Sequence, residues 1–429
     1  MKKLALIKVF LNEFQRKTHS LTFDYLIASI NQAKIEIDIK ICYSLQEIKE
    51  YKPDIVGIST VTESYMIAKQ LAKDIKKELG SIVIIGGTHI TALPQTMSKD
   101  MDIAIIGEGE RTIVEILKLS EKPPWHLTGI DSILGIAYWK NGKLFQTNPR
   151  LYIPMDELPI PIHPNIKYDF GEAIAILTTR GCVNRCVHCS EQKIWRPFRY
   201  LSGKRLAEII DVHYKRSGIT DYVFMDDISV FNLKRLVELK EELIKRNIFD
   251  KIKIVKISTN SEIITEDIVK ILKELGLRLA GFGLESASSR ILKEMKRGRV
   301  TIEDFKRCIT LFGKYGIRSG ASTVWGFPGE TLEDMEKNKK FLVEWNGKYQ
   351  FKSFMQYCCQ PLPGSDLWDM MYAKGKVSLD MDFSTMKIHP KNIKENWLYI
   401  NEDTVNKEDF IKFLNQTRKE IREAKKNKK

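Results

Sequence analysis

Short apolar runs alternate with helix-period segments along most of this 429-residue chain, and nothing else in it restricts the fold as strongly. In the first 120 residues, strands are read at 4–10, 35–41, 54–60, 82–85 and 102–106, with helices at 19–32, 45–51 and 64–79 between them. Such repetition means βαβ units and a mostly parallel, doubly wound, Rossmann-like sheet. Asn141-Gly142, between runs at 134–139 and 143–146, demands a type I′ turn and so a small closing hairpin. Residues 148–169 then hold five of the fourteen prolines, a density that forbids helix and most sheet. From residue 172 the alternation resumes with longer helices and strands at 173–177, 222–225, 252–258, 279–283, 319–326 and 351–356. Six parallel strands with helices outside predict a partial (βα)6 barrel, whose chemistry sits at the carboxyl ends of the strands. The expected organisation is α/β: an N-terminal Rossmann-like domain (1–147), a Pro-rich connector (148–171), a partial barrel (172–370) and a small C-terminal segment (371–429) with a helix at 409–426.

Three cysteines, Cys182, Cys186 and Cys189, fall on one loop after the strand at 173–177 and a turn at Gly181. Thiolates are soft ligands that select iron–sulfur clusters or zinc. Structural zinc wants four ligands, usually as two separated pairs, and no second pair is visible. A cubane has four irons, so three thiolates leave one open to a small molecule. Seven cysteines in this length, three of them clustered, suit a reducing compartment and metal binding rather than a disulfide framework. No run of about 18 apolar residues exists to span a membrane. Lys8 interrupts the apolar start and no small-residue cleavage site follows, so that start reads as a strand rather than a leader. A cytoplasmic location is expected.

The formal net charge of +14 raises the question of nucleic acid. Much of it lies on diffuse Lys-rich helix faces and in the tail 418–429, which a solvated, frayed helix explains as well as a binding arm. No helix-turn-helix, RNA-recognition or zinc-finger signature accompanies it, so no nucleic-acid partner is expected.

The C-x3-C-x2-C spacing resembles the radical S-adenosylmethionine superfamily. That resemblance implies a [4Fe-4S] cluster on Cys182, Cys186 and Cys189, an open iron that chelates S-adenosylmethionine, and electron-driven cleavage to a 5′-deoxyadenosyl radical. The electron would come from a reducing partner such as flavodoxin or ferredoxin. Further strand ends carry the rest of the resemblance. Met225-Asp226-Asp227-Ile228 takes the place of the family's Gly-Gly-Glu motif, which makes Asp226 and Asp227 cofactor-binding candidates, with capping of the helix near Asn232 as the alternative. Ser258 and Asn260 suit ribose hydroxyls, since hydroxyl and amide groups donate and accept at once. Glu285 resembles a family carboxylate that contacts the cofactor, or else it charges the start of the next helix. Val324, before Gly326-Phe327-Pro328-Gly329-Glu330-Thr331, resembles the strand that packs on adenine, and Glu330 reads as a structural residue in the first turn of the following helix. Arg180 and Arg185 hold cluster charge or sit exposed, and His188 packs beside the cluster. Cys308 reads as core; Cys358 and Cys359 read as buried or as groups that quench an intermediate.

The first domain resembles the cobalamin-binding domain that precedes the radical domain in one branch of the superfamily. The matching residues are the strand from Asp54 ending at Ser59 and Thr60, then Gly86-Gly87-Thr88-His89, then Gly107-Glu108-Gly109. One departure stands out. Leu11-Asn12-Glu13-Phe14 replaces the family's Asp-x-His-x-x-Gly ligand motif, as in several members of this branch, and His19 and His89 read as polar loop or helix-end residues. Methylthiotransferase relatives carry three further cysteines here; only Cys42 is present. The resemblance implies methylation of an unactivated carbon, sometimes phosphorus. The alternatives are radical cyclisation, oxidation or rearrangement of a lipid, tetrapyrrole or peptide without cobalamin, or a non-catalytic corrinoid or electron carrier. The unidentified substrate is expected to meet the connector, the sixth barrel strand and the C-terminal segment with Trp397 and Tyr399.

Overall fold

A computed structural model describes residues 1–9, 20–119, 129–162, 166–168, 171–389 and 397–426. The chain divides into two compact units, residues 1–162 with 377–386, and residues 163–376 with 387–429. The sequence readings at Leu11–Phe14 and His19 lie outside the described residues.

In the first unit seven strands form one sheet: β1 (Lys2–Lys8), β2 (Ile37–Cys42), β3 (Ile55–Ser59), β4 (Ile82–Gly86), β5 (Ile103–Ile105), β6 (Ile136–Lys140) and β7 (Lys143–Gln146). Their order is β2-β1-β3-β4-β5-β6-β7. The pairs through β5 are parallel and the β5–β6 and β6–β7 pairs antiparallel. Both central residues of the β6–β7 turn, Asn141 (φ 52°) and Gly142 (φ 75°), adopt the left-handed conformation that a type I′ turn requires. Leu4, Leu6, Ile55, Ile84 and Ile103 build the core against Phe23, Ile30, Ile113 and Ile116. The helix Tyr65–Leu79 buries Ala68, Ala72 and Ile75, spaced as one helical face, and stops at Gly80 (φ 67°). A helix at Glu110–Leu119, absent from the sequence reading, has the same signal in Ile113, Ile116 and Leu117.

The C-terminal segment also contributes to this unit. Residues 377–386 pack with it, and Phe383 (1% exposed) presents its edge to His89 and Tyr65, with ring centroids 4.6 and 5.9 Å away. Sequence periodicity carries no sign of this return, because a ten-residue strap whose one regular element is the single 3-10 turn Phe383–Thr385 is too short to show a period.

The second unit holds β8 (Ile166–Tyr168), β9 (Gly171–Ile176), β10 (Thr179–Arg180), β11 (Arg199–Tyr200), β12 (Asp221–Phe224), β13 (Lys253–Thr259), β14 (Leu279–Glu285), β15 (Arg318–Trp325) and β16 (Phe351–Cys358). Its main sheet runs β16-β15-β14-β13-β12-β9-β8. The six strands from β9 to β16 pair in parallel, as the alternation predicts. The connector departs from a wholly extended link in a 3-10 turn at Met155–Glu157, and its end joins the sheet as β8, antiparallel to β9: the last proline of the run is Pro164, and from residue 166 every backbone donor is available for a ladder. Helices of this unit begin with side-chain caps, among them Ser202, Asn232, Thr265, Thr301, Thr331 and Ser365, each accepting from a first-turn N–H. No described helix is long and apolar enough to cross a membrane.

Candidate functional site

The cysteine loop of the second unit is fixed mainly through its backbone. Gly181 (φ 78°) opens it, and a Cβ there would lie 2.2 Å from the Trp195 carbonyl oxygen, so only glycine fits. Val187 N–H donates to Met295 O and accepts at its own carbonyl from Leu367 N–H, both at 2.9 Å. Arg297 Nε donates to Arg185 O at 2.9 Å and Arg299 Nη1 to Val183 O at 3.1 Å. Loop carbonyls are thereby held while the three sulfurs stay half-buried and free of disulfides. Burial pushes the Cys182 thiol up to about 11 and raises Cys186 and Cys189 as well.

Asp226 anchors the approach to this loop. Its carboxylate accepts from Thr178 N–H (2.6 Å), Thr178 Oγ1 (2.6 Å) and Thr179 N–H (2.9 Å). Buried Arg235 reaches the same place, donating to the carbonyls of Thr178, Ser229 and Leu201. Asn232 caps the next helix, so neither Asp226 nor Asp227 does. Asp227 is exposed and hydrogen-bonds the Glu191 carboxyl, and burial followed by the Asp227 charge pushes Glu191 well up. Both Asp227 and Glu191 lie close enough to Cys189 to act on it electrostatically.

Glu285 stands at a register shift in β14 with φ 60°, a conformation non-glycine residues rarely adopt. Its Oε1 lies 3.2 Å from Lys296 Nζ, and both side chains are nearly inaccessible, at 11% and 6%. Lys296 also donates to Gly283 O at 2.8 Å. Burial alone would lower the Lys296 ammonium; the Glu285 carboxylate first, and then any thiolate charge on Cys186 and Cys182, outweigh it and hold the ammonium above its usual range. The helix after β14 starts at Ser289 behind Ser288, so Glu285 is not its cap. Along the same sheet edge, Ser258 pairs with Gly281, Asn260 Nδ2 and Ser261 Oγ are buried without a partner, and Val324 (8% exposed) is the penultimate residue of β15, before Trp325. The structure thus gathers the three cysteines, Asp227 and Glu285, and it adds Lys296 and Glu191, which the sequence reading passed over. Glu191 had a signal, a carboxylate two residues beyond the third cysteine. Lys296 had none, lying in an ordinary Lys-rich helix.

Glu330 departs from expectation. It precedes the cap Thr331 rather than lying in the helix's first turn, and its fully buried carboxylate accepts from Gly326 N–H at 2.6 Å. Burial pushes it up to about 8. Cys308, Cys358 and Cys359 are all buried.

In the first unit, the ends of β3, β4 and β5 carry the remaining candidates. Ser59 closes β3; Thr60 N–H donates to Gly86 O at 3.1 Å, and Thr60 Oγ1 meets Ser64 Oγ at 3.0 Å. Gly87 (φ 107°) is obligatory, because a Cβ would lie 2.2 Å from Thr60 O, whereas one on Gly86 meets nothing within 4 Å. Gly107 N–H donates to Thr91 Oγ1, Glu108 is 8% exposed, and a Cβ on Gly109 would press on Leu26. His89 is fully buried, with Nδ1 at 3.3 Å from Thr62 Oγ1, Nε2 at 3.1 Å from Thr96 Oγ1 and its ring stacked on Tyr65 at 3.9 Å. Burial drives its pKa down to about 3, so it is a neutral structural imidazole.

The donor sets fit the groups that the sequence implies. No described cluster of three His, Cys, Asp or Glu side chains converges on one ion, which argues against a single metal but suits a multi-iron group with one thiolate per iron. The first unit's edge offers hydroxyls and open backbone at Gly86, and its one described histidine is occupied, so a corrinoid there would take no described protein imidazole.

Comparison with known proteins gives a consistent result. The Radical SAM superfamily profile matches residues 176–342 and the B12 binding domain profile residues 7–117. An uncharacterized methyltransferase of Pyrococcus horikoshii is 31% identical over 376 residues, covering 81% of this chain and 77% of its own length. The anaerobic magnesium-protoporphyrin IX monomethyl ester cyclase of Rubrivivax gelatinosus is 28% identical over 355 residues, 77% of this chain but 61% of the relative. Among solved structures, the cobalamin-dependent S-adenosylmethionine radical enzyme OxsB, with aqua-cobalamin and S-adenosylmethionine bound, superposes with a TM-score of 0.69 at 17% identity, over 90% of this chain and 64% of that one.

Proposed function

The chain belongs to the radical S-adenosylmethionine superfamily, in the branch with a B12-binding domain, and on that premise we propose that it is a cobalamin-dependent methyltransferase acting on an unactivated carbon. The observation that carries this reading is the three-cysteine loop at the carboxyl edge of a six-stranded parallel sheet, in one chain with a B12-binding domain. When bound, the cluster on Cys182, Cys186 and Cys189 supplies the electron that cleaves S-adenosylmethionine, and the corrinoid carries the methyl group.

The chain's own residues have separable tasks in this reading. Asp226 and Arg235 fix Thr178 and Thr179, and so the direction in which the cysteine loop leaves β9. Lys296 puts a positive charge beside Cys182 and Cys186, where it offsets thiolate charge and meets the cofactor's carboxylate. Asn260 and Ser261 bring unpartnered polar atoms for the ribose, and Val324 brings an apolar contact for adenine. Asp227 and Glu191 hold a proton between them near Cys189. The electron donor is a flavodoxin or ferredoxin, and the location cytoplasmic.

A second reading keeps the radical and drops methyl transfer; the Rubrivivax cyclase and the occupied His89 favour it. Metal analysis after anaerobic reconstitution with iron, sulfide and hydroxocobalamin separates the two. About one cobalt per chain, together with S-adenosylhomocysteine and 5′-deoxyadenosine on turnover, supports methylation. Iron retained without cobalt overturns it in favour of a cobalamin-free radical enzyme.

A further inference from the structure

The turn after β15 is built by two distant parts of the chain. Gly326 (φ 79°) and Gly329 (φ 82°) bend it sharply, and the only side-chain bond it receives from within is the Glu330 carboxylate on Gly326 N–H. Arg290 Nη2 donates to Gly329 O at 2.8 Å, and the other described side-chain bonds come from the tail, about 70 residues later. Asn401 is 1% exposed; its Oδ1 accepts from Gly329 N–H at 2.8 Å and its Nδ2 donates to Glu330 O at 2.7 Å. One amide therefore reads both a donor and an acceptor of the turn, as a neighbouring strand would. Tyr399 and Phe410 lie over Gly326, where a Cβ would come within 3.4 and 3.1 Å of them. Gln360, just beyond β16, donates to Leu398 O at 3.0 Å and Cys359 O at 2.8 Å, which ties the same tail segment to the neighbouring strand end. Two adjacent strand ends thus share one buried support, in which a single amide meets a donor and an acceptor of the turn, Gly329 N–H and Glu330 O.

We propose that residues 397–401 form a positioning clasp for S-adenosylmethionine, with Asn401 fixing the Gly326–Glu330 turn and thereby setting Val324 against the adenine. This rests on the reading above, in which the end of β15 receives the cofactor. Asn401 is a positioning residue; it acts through the turn.

The test is binding of labelled S-adenosylmethionine to the full-length, anaerobically reconstituted protein without reductant, by equilibrium dialysis, alongside iron content and Tm. Asn401→Ala removes both bonds to the turn and weakens binding about tenfold, with iron content unchanged. Asn401→Asp keeps the acceptor for Gly329 N–H but can donate to Glu330 O only when protonated, and burial favours that form. Glu330, whose carboxyl bonds Gly326 N–H in the same turn and is pushed up to about 8, titrates in both variants, so the readout is their ratio: the affinity of Asn401→Asp relative to Asn401→Ala rises as pH falls from about 8 to about 6. Parental affinity in both variants overturns the clasp and leaves the cofactor site standing. A parent that binds no S-adenosylmethionine overturns the site assignment itself. Losses that follow iron content and Tm, with no rise in that ratio as pH falls, reduce Asn401 to a stability residue and overturn the proposal equally.

Discussion

Glu330 shows how one side chain ties pH to stability. Its carboxyl titrates near 8 in the fold, against an ordinary 4.5. Below about pH 4.5 it is protonated folded or unfolded and contributes no pH dependence. Between about 4.5 and 8 the unfolded chain releases the proton and the folded chain keeps it, so ionisation favours unfolding. Glu330→Gln therefore gains stability on the parent by up to about 1.4 kcal/mol per pH unit across that window, and the gap stops widening above it. Denaturant melts of both proteins at pH 5, 6.5 and 8 check this; a constant difference would sink the burial argument. Legibility at this scale follows sequence distance. The cysteine loop was readable because its three cysteines lie within eight residues and thiol chemistry is in their identities. The clamp on Thr178 by Asp226, the Glu285–Lys296 pair and the Asn401 bonds were not, since their partners lie between 11 and 72 residues away and nothing local marks them.

Secondary elements were more legible than residues, for a physical reason. Each parallel strand buries both faces, so it appears as a short apolar run, and each helix buries one face, so it carries a 3.6-residue period. What escaped was the short β8, β10 and β11, and also the ten-residue Glu110–Leu119 helix, although that helix carries its period in Ile113, Ile116 and Leu117. The turn into the cysteine loop belongs to the same scale and yields a prediction. Gly181→Ala must place a methyl group 2.2 Å from a backbone carbonyl in a left-handed residue, and a carbonyl cannot swing aside as a side chain would. Iron retained per chain after reconstitution falls severalfold. Gly218→Ala, at a helix end with φ 69° and nothing within 4 Å of its Cβ, is the control: it costs about 1–2 kcal/mol of backbone strain and leaves iron content alone. Equal iron loss in both would show that general destabilisation, rather than loop geometry, governs the cluster.

At the scale of the whole molecule, the strap at 377–386 alters how the chain is partitioned. Phe383 is buried against Tyr65 and His89 in the first unit, far along the chain from either. Phe383→Ala should cost about 3–5 kcal/mol, a usual figure for a buried phenylalanine, and calorimetry should show the loss in one unit's transition while the other's holds. A single shared shift would mean that the units melt together. The chain passes from one unit to the other three times, near residues 162, 376 and 386, instead of once. A gene segment encoding residues 1–162 is then no interchangeable cassette: moved into another protein, it leaves behind the aromatic plug that closes over His89. Recombination or truncation at the obvious linker should yield an insoluble fragment, and inheritance of this B12-binding half is coupled to a ten-residue stretch encoded more than two hundred codons downstream.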